Sequence, residues 1–239
     1  MSITYKIREI IIKFTGYWIY KKKALPVGVD LSEDLLNKFN IKPQFIFDVG
    51  ANYGQTALYY YDKFKDCVIY SFEPVKRSFD ILVNNTKHFN NIVCVNYALG
   101  EKKQDLLISL YDENNSQLNS LKLENACNEQ NAVKELVKVT TISEFVREQN
   151  INKIDLLKID SEGFEIPVLR GGTELLVKQN INAILCEVAL SKRNKRNTQL
   201  EDIIGYLDNY DYYFVGLYDT NIRDYRSGIA YSNALFIKK

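Results

Sequence analysis

The sequence predicts an α/β fold: a mostly parallel sheet with helices on both faces. Short apolar runs rich in β-branched and aromatic residues alternate with stretches of helical patterning, which is typical of strand–helix–strand units. Two C-terminal strand-like runs have only a loop between them, which predicts a closing antiparallel hairpin. The composition of the 239 residues, 46% hydrophobic and 26% charged, indicates one large domain with appendages and excludes a largely disordered chain.

Residues 1–25 predict a basic amphipathic helix. Six Lys or Arg residues minus one acid, Glu9, give this segment a charge of +5. One helical face is apolar and carries Ile3, Ile7, Ile10, Ile11, Phe14 and Trp18. Such a helix either lies on an anionic membrane surface as a peripheral contact or packs on the main domain or a second subunit, and packing is the preferred interpretation. We therefore treat residues 1–40 as an N-terminal helical extension and residues 41–239 as the domain proper.

The remaining elements follow in order. Asp30 or Ser32 is expected to cap a short helix that ends by Asn40. Strands are predicted at residues 44–49, 68–72, 91–96, 153–160, 181–188, 212–217 and 229–237, and helices at 56–65, 77–88 and 164–179. An insertion at about 104–140 carries two further predicted strands, LLISLY and LVKVTT, around an Asn-rich stretch that is either a lid or a surface excursion.

Charge and cysteine content exclude several classes of protein. With 31 Lys and Arg against 30 Asp and Glu, the net charge of +1 provides no global field for nucleic acid, so no nucleic-acid partner is expected. No apolar run reaches the roughly 18 residues of a membrane span, and the N-terminus lacks the apolar core of a secretory signal. No C-x-x-C pair occurs, so the cysteines are predicted to be reduced thiols of a cytoplasmic protein. They are Cys67, Cys94, Cys127 and Cys186.

Ligands of an open parallel sheet bind beyond the carboxyl ends of its strands, and the first strand runs into a glycine-bounded loop there. The loop reads DVGANYG from Asp48 to Gly54. It lacks the third glycine of a dinucleotide-binding loop and the Lys-Ser/Thr of a phosphate-binding P-loop. An acidic residue ahead of the glycines favours a ligand with a cationic group over a diphosphate.

The second and third strand ends predict a nucleoside site. Glu73 closes the second strand 73 − 54 = 19 residues after Gly54, close to the roughly 20-residue spacing at which a carboxylate meets ribose hydroxyls. The third end, Asn96 to Gly100, offers an amide and backbone groups where an adenine ring would lie.

The fourth strand ends in three carboxylates, and a fourth follows the neighbouring strand. Glu165 is expected mainly to cap the next helix, and the same structural role is an alternative for Asp160. Asp160 and Glu187 are expected to converge beside the ligand, where paired oxygens either hold Mg²⁺ or take a proton from a hydroxyl.

The segments FDVGANYGQT, FEP, VNYALG, LLKIDSEGFEIPVLRGG and LCEV, in this order and spacing, resemble the FkbM family of S-adenosylmethionine-dependent methyltransferases. The resemblance extends from about Phe45 to Val188 and implies a class I, Rossmann-like fold whose seven-stranded sheet has an antiparallel C-terminal strand. Members typically methylate hydroxyls of sugars or other natural products. The implied cofactor-binding residues are Asp48, Gly50, Asn52, Gly54, Glu73, Asn96, Ala98 and Asp160, and the implied catalytic residues are Asp160, Glu162 and Glu187.

The expected function is therefore O-methylation. An alcohol must lose a proton, and the only histidine, His88, is predicted to lie on the surface. Asp160 and Glu187, with Glu162 and with or without Mg²⁺, are expected to activate the hydroxyl. The alternatives are an NAD-dependent or nucleotide-sugar enzyme, which would need the missing glycine, and a non-catalytic binding module.

We expect the insertion, the N-terminal helix and the loop from Tyr218 to Tyr231 to form the acceptor pocket. Tyr218, Tyr225 and Tyr231 either stack on a sugar or only pack. The basic residues 192–196 either bind the phosphate of a lipid-linked or nucleotide-linked sugar or form a solvated loop, and the second interpretation is preferred.

Overall fold

The computed structural model describes residues 3–17, 20–21, 24–110, 133–221 and 228–239. Its strands are β1 (Phe45–Val49), β2 (Val68–Phe72), β3 (Ile92–Val95), β4 (Ala98–Leu99), β5 (Gln104–Leu110), β6 (Val133–Thr140), β7 (Ile154–Ile159), β8 (Ile181–Ala189), β9 (Tyr212–Asn221) and β10 (Tyr231–Lys238). Its helices are α1 (Ile3–Thr15), α2 (Leu31–Glu33), which continues as a π-helical turn over Asp34–Lys38, α3 (Gln55–Lys63), α4 (Lys76–Thr86), α5 (Ile142–Glu148), α6 (Glu165–Gly171), α7 (Thr173–Val177) and α8 (Leu200–Asp208).

Seven strands form the large sheet in the order β3-β2-β1-β7-β8-β10-β9. β10 is antiparallel to both of its neighbours, and the other paired strands are parallel to each other. The predicted mostly parallel sheet with an antiparallel C-terminal strand is thereby confirmed. The chain reverses its direction of travel across the sheet between β1 and β7, and this switch point is where open α/β sheets bind ligands.

Helices cover both faces of this sheet. Successive residues of its buried strands point to opposite faces and are apolar on each, so both faces need a cover. On one face, Phe47 and Leu157 pack with α5, α6, α7 and α8. On the other face, Ile46 and Leu156 pack with α2 and α3. The two layers hold the carboxyl ends of the strands in fixed positions.

The insertion forms a second, three-stranded sheet in the order β4-β6-β5. β5 and β6 are antiparallel and contain the two predicted strands. Ile108 and Val137 on one face of this ribbon pack against Val75, which precedes α4, whereas Leu107 and Leu136 on the other face are exposed. The ribbon therefore covers the end of the large sheet where the ligand site is expected. Residues 111–132, with Cys127, lie outside the described part of the chain.

The N-terminal region divides into two parts. α1 is amphipathic as predicted, and part of its apolar face is exposed: Phe14 by 83% and Ile10 by 56%. The preferred interpretation, packing on the main domain or a second subunit, stays a prediction; Trp18 lies outside the described residues. In contrast, Asp30 caps α2 by accepting a hydrogen bond from the Glu33 amide, and Leu35 is buried in the core.

Two helices differ from the prediction. The helix expected at residues 164–179 is broken at Gly172 into α6 and α7. A Cβ on Gly171 would lie 2.0 Å from the carbonyl oxygen of Gly100, so only glycine allows α6 to approach β4 this closely. The sequence pattern did not predict α5, whose seven residues are too few for a clear helical period; Thr141 caps it by accepting from the Glu144 amide.

Two predictions from the sequence, the lack of a membrane span and the reduced cysteines, can be compared with the described residues. None of the described helices is both long and apolar enough to cross a bilayer. Cys67, Cys94 and Cys186 form no disulfide with one another, in agreement with the predicted thiols.

Candidate active site

The carboxyl ends of β1, β2, β7 and β8 open into a cavity of about 770 Å³. This is in the upper part of the roughly 300–1,000 Å³ range of small-molecule sites, enough for two ligands side by side. Ile108 of β5 and Gly228, Ala230 and Tyr231 around the start of β10 complete its wall. The insertion and the C-terminal loop therefore contribute to the pocket as expected, whereas α1 provides none of the described lining residues.

The loop after β1 brings backbone close to the cavity. Gly50 has a φ of 77°, and a Cβ there would lie 1.8 Å from the carbonyl oxygen of Asp160. Gly50 and Asn52 line the cavity, as expected for a ligand-binding loop. Gly54 does not line it: this residue has a φ of 91° and faces α4, where a Cβ would lie 2.8 Å from a methyl carbon of Leu82. The structure thus gives Gly54 a packing role instead of a cofactor contact.

Glu73 and Asn52 present free acceptor capacity to the cavity. The Glu73 carboxylate accepts the backbone N–H groups of Asn52 at 2.9 Å and Val75 at 3.0 Å, one on each oxygen. Each oxygen keeps lone pairs for further donors. Burial raises the pKa of Glu73 to about 7. The Oδ1 atom of Asn52 is buried and has no hydrogen-bond partner among the described residues, which suits a ligand with donor groups.

A buried lysine connects two of the predicted acids. Lys158 Nζ lies 3.3 Å from a carboxylate oxygen of Asp48 on one side and 3.3 Å from one of Asp160 on the other. Burial lowers the pKa of Lys158, but Asp160 and Asp48 raise it by more, so the net shift is upward and the side chain stays charged. Asp48 is fully buried behind the lysine and does not reach the cavity wall. Its contribution is therefore to hold Lys158, not to touch a ligand.

The three predicted catalytic acids do converge. One carboxylate oxygen each from Asp160, Glu162 and Glu187 lies within 4.8 Å of the others. Burial, and then the negative charges of Asp160 and Glu165, raise the pKa of Glu187 far above its usual range, to about 9. At neutral pH this carboxyl therefore holds a proton and the neighbouring Asp160 is the acceptor of the pair.

Each acid of this cluster already has a nitrogen partner. Asp160 pairs with Lys158, Glu162 with the Arg196 guanidinium, and Glu187 accepts from the Asn197 side-chain amide. These cations and donors compete directly with a divalent cation for the same oxygens. The cluster therefore does not fit a resident Mg²⁺, and no role for a metal follows from it.

Glu165 shapes the loop that carries the acids. Its buried carboxylate accepts the backbone N–H groups of Ser161 at 3.2 Å and Gly163 at 3.0 Å, and it also accepts from the Thr198 hydroxyl. Within this loop Glu162 adopts a φ of 55°, a left-handed conformation that an L-residue rarely takes. The structural role expected for Glu165 is what the contacts show.

The third strand end contributes through different residues from those expected. The Asn96 amide donates to the carbonyl oxygens of Glu73 and Pro74 at 2.9 and 3.0 Å, and Asn96 does not line the cavity. Tyr97 and Ala98 do line it. Asn96 therefore fixes the loop that carries Glu73, and Ala98 keeps the predicted position beside the ligand.

The predicted tyrosines and His88 also differ in where the structure places them. Tyr231 lines the cavity, whereas Tyr218 is buried in the core and donates to Asp34 at 2.7 Å. Tyr225 lies outside the described residues. His88 is exposed at the end of α4, as the sequence predicts.

Sequence reasoning missed Lys158 and gave too little weight to the basic loop after β8. The signal for Lys158 was present, because a lysine inside the apolar run IDLLKI of a central strand needs buried partners. For the loop, only the structure shows that Arg193, Lys195 and Arg196 face the cavity.

Comparison with known proteins agrees with this geometry. A family model for the FkbM methyltransferase domain matches residues 48–214. Methyltransferase 1 of Beauveria bassiana (strain ARSEF 2860) is 30% identical over 146 residues, which are 53% of this chain and 57% of that protein. Methyltransferase sdnD of Sordaria araneosa is 30% identical over 192 residues, 69% of this chain and 71% of that protein.

A solved structure shares the fold. The crystal structure of methyltransferase FkbM from Methylobacillus flagellatus KT superposes with a TM-score of 0.55 at 16% identity, and the match covers 82% of this chain and 44% of that one. The chain therefore spans less than two thirds of the Beauveria protein and of the Methylobacillus chain.

Proposed function

Since the chain belongs to the FkbM methyltransferase domain family, we propose that it is an S-adenosylmethionine-dependent methyltransferase that methylates a hydroxyl group of a sugar, glycan or natural product. The observation that carries the proposal is that one cavity is lined by two kinds of group: Glu73 and Asn52 offer unused acceptors, and the carboxylates of Asp160 and Glu187 lie close together. A nucleoside and a reacting hydroxyl need these two kinds of site.

The residues present fit this cofactor. S-adenosylmethionine supplies a methyl group activated by a sulfonium, together with an adenosine and an amino acid, and carries no phosphate. Glu73 would accept from the ribose hydroxyls, the buried Asn52 Oδ1 from a hydroxyl or an ammonium group, and Gly50 would allow close approach to the backbone. Ala98 and Asp160 both line the cavity, where Ala98 would contact the adenine.

The proton of the acceptor hydroxyl is the chemical problem that this chain must solve. Asp160 lies 3.3 Å from Lys158 Nζ, and it can accept that proton in the transition state. Glu187 shares a proton with Asp160, so the pair can hold the additional charge change without leaving two carboxylates ionised side by side. Glu162 pairs with Arg196 and is assigned a positioning role.

The first test is calorimetric titration of the protein with S-adenosylmethionine and S-adenosylhomocysteine. We expect micromolar binding of both that Glu73→Ala abolishes, because the substitution removes the ribose acceptor and leaves the Asn52 and Val75 amides without their partner. Glu148→Ala, which removes an exposed carboxylate far from the cavity, is the matched control and should bind as the wild type does. Absence of binding to folded wild-type protein would remove the proposal and put NAD and nucleotide sugars first.

The second test separates an enzyme from a non-catalytic binding module. Asp160→Asn is expected to keep cofactor affinity but to lose about a hundredfold or more of the methyl-transfer rate to a panel of sugar and polyketide alcohols. Binding without transfer to any hydroxyl by the wild type would favour the binding module.

We also propose that α1 makes peripheral contact with an anionic membrane. The support is its exposed apolar face, with Ile7, Ile10 and Phe14, next to the basic residues Lys6 and Lys13. Co-flotation with phosphatidylserine-containing vesicles, but not with pure phosphatidylcholine, is expected for the wild type. Phe14→Asp should abolish it, and Val177→Asp, at another exposed apolar residue, should not. Equal flotation of both variants would exclude α1 as the contact.

A further inference from the structure

The loop after β8, residues 191–197, is fixed by a network centred on Asn194. The Asn194 side-chain oxygen accepts from the backbone N–H groups of Arg196 at 3.0 Å and Asn197 at 3.3 Å. Its side-chain nitrogen donates to Asn197 Oδ1 at 2.8 Å and to the carbonyl oxygen of Ala230 at 3.3 Å. The Gln199 amide donates to the Asn194 carbonyl at 2.8 Å. The loop is therefore anchored to the start of β10 and presents its side chains in a defined direction.

Two cations of this loop carry charge that the described residues do not compensate. Arg193 and Lys195 flank Asn194, and both line the cavity. Their neighbours differ: Arg196 pairs with Glu162 inside the cavity, and Lys192 lies 3.5 Å from Glu201 outside it. None of the described carboxylates forms an ion pair with Arg193 or Lys195.

Charge is consequently segregated within the cavity. Among the described residues that line it are four acids, Glu73, Asp160, Glu162 and Glu187, and four cations, Lys158, Arg193, Lys195 and Arg196. Lys158 and Arg196 are engaged with the acids at the strand ends. The two cations that remain lie on the exposed side of the loop, so the cavity has an acidic interior and a basic rim.

We propose that Arg193 and Lys195 bind a phosphate or diphosphate group of the acceptor, so that the methylated molecule is a phosphorylated sugar or a comparable phosphorylated alcohol. The inference rests on the proposed function and names the substrate class of the same site. It goes beyond the requirement for a hydroxyl, because it assigns a second recognition point, at the rim of the cavity, where the protein binds an anionic group of the acceptor.

The chemistry of the two side chains favours phosphate. Arginine offers a planar fork of donors and lysine a compact charge, and together they match a group with several oxygens and two or more negative charges. Because the loop is already ordered by Asn194, little conformational entropy is lost when such a group binds. The phosphate at the rim then places the rest of the acceptor toward Asp160, and repulsion from the acids prevents the reverse orientation.

The test uses protein saturated with S-adenosylhomocysteine and three probes: inorganic pyrophosphate, glucose 1-phosphate and UDP-glucose. Affinities are measured by calorimetry at low and at physiological salt for the wild type, the double variant Arg193→Gln/Lys195→Gln, and the control Lys192→Gln. The control removes a charge from the same loop but outside the cavity. We expect the double variant to weaken binding of the phosphate probes by about tenfold or more, and Lys192→Gln to change it by less than about twofold.

The arms of the experiment distinguish the sources of the phosphate. Binding of all three probes identifies the phosphate alone as the recognised group, whereas selective binding of UDP-glucose identifies a nucleotide-linked sugar; both support the proposal if the double variant loses the binding. It is overturned if the wild type binds none of the probes, or if Lys192→Gln weakens them as much as the double variant does.

Failure of this proposal is distinguishable from failure of the proposed function. The affinity for S-adenosylhomocysteine is measured separately, and Arg193→Gln/Lys195→Gln is expected to leave it unchanged because neither side chain is among the groups proposed to bind the cofactor. Retained cofactor binding without phosphate binding overturns only the substrate class, whereas loss of both in the wild type overturns the function itself.

Discussion

At the residue scale, the absent side chain of Gly50 determines how closely two strand ends approach. β1 and β7 are adjacent and parallel, and the chain leaving β1 crosses directly over the carbonyl of Asp160. A methyl group at this position would lie 1.8 Å from that oxygen, a distance at which one of the two backbones must move. The position of Asp160 in the cavity therefore depends on Gly50, which follows the neighbouring strand and is distant in sequence.

Gly50→Ala should consequently destabilise the fold and disturb the site. Strain at a φ of 77° and the backbone clash together predict a loss of about 2 kcal/mol or more, or a fall in Tm of about 4 °C or more, with weakened cofactor binding. Gly205→Ala in α8 is the matched control, because nothing lies within 4 Å of an added Cβ there. It should raise Tm slightly, since alanine favours a helix by about 1 kcal/mol over glycine. Equal melting temperatures for the two variants would refute the account.

Glu187 predicts a pH dependence of stability. Its pKa is about 9 in the folded protein, far above the ordinary value of about 4.5, so the folded state binds more protons between these values. The free energy of unfolding should therefore fall as pH rises through that window, and Glu187→Gln, which mimics the protonated form, should remove this component.

Urea unfolding at pH 6 and pH 9 measures the effect. The wild type should lose more stability between the two pH values than Glu187→Gln does, although the raised pKa of Glu73 adds a component of the same sign to both proteins. Glu148→Gln, at an exposed position, should behave as the wild type. Identical losses in the wild type and Glu187→Gln would contradict the assigned pKa.

Several site residues were predictable from the sequence because strand ends follow from chain order. Glu73 and Asp160 directly follow β2 and β7, Glu187 lies two residues before the end of β8, and the parallel sheet brings these strand ends to one edge. Gly54 and Asn96 carry the same local signal but turn away from the cavity, because their partners lie in α4 and in the loop after β2. Sequence spacing places a residue at the edge; it does not determine where the side chain points.

At the scale of elements, one side-chain hydrogen bond adds to the apolar packing between the ribbon of β5 and β6 and the start of α4. α4 begins after Val75, which has no side-chain acceptor, and Glu135 of β6 instead accepts the Lys76 backbone N–H at 2.9 Å. Glu135, which is distant in sequence, thus accepts the hydrogen bond that an N-cap side chain of α4 would otherwise accept.

Glu135→Ala is expected to loosen this attachment. Loss of the acceptor should cost about 1 kcal/mol, corresponding to a fall of about 2–4 °C in Tm. Hydrogen exchange measured by mass spectrometry should accelerate in peptides covering β5, β6 and the first turn of α4, and not in those covering β8. Lys138→Ala, which truncates an exposed residue of the same strand, should leave exchange unchanged. Faster exchange in both variants would show that the strand, not the cap, is sensitive.

Element boundaries were predicted well where a strand is buried and bounded by polar residues. The run VIYSF coincides with β2, and the predicted 181–188 is one residue shorter than β8. The break between α6 and α7 was not predictable in this way. It depends on the contact of Gly171 with Gly100, two glycines that are 71 residues apart and whose proximity only the fold reveals.

At the scale of the whole molecule, a net charge of +1 conceals a strong local arrangement. Among the described residues that line the cavity, acids and cations are equal in number, yet the uncompensated cations lie at its rim and the acids lie at the strand ends. The net charge averages over such segregation. The mostly parallel sheet followed from the alternation of elements, whereas the cavity combines segments of β5, the loop after β8 and the start of β10 that no local pattern relates.

The position of β10 has a consequence for engineering. β10 is inserted between β8 and β9, and its first residue, Tyr231, pairs with the last residues of both neighbours, Ala189 and Asn221. The chain that enters β10 therefore meets the cavity before it joins the sheet, and Gly228 and Ala230 lie on the cavity wall. A library diversified at Gly228, Ala230 and Tyr231 would vary one wall of the cavity while the residues proposed to bind the cofactor stay unchanged, so selection there could alter which acceptor fits.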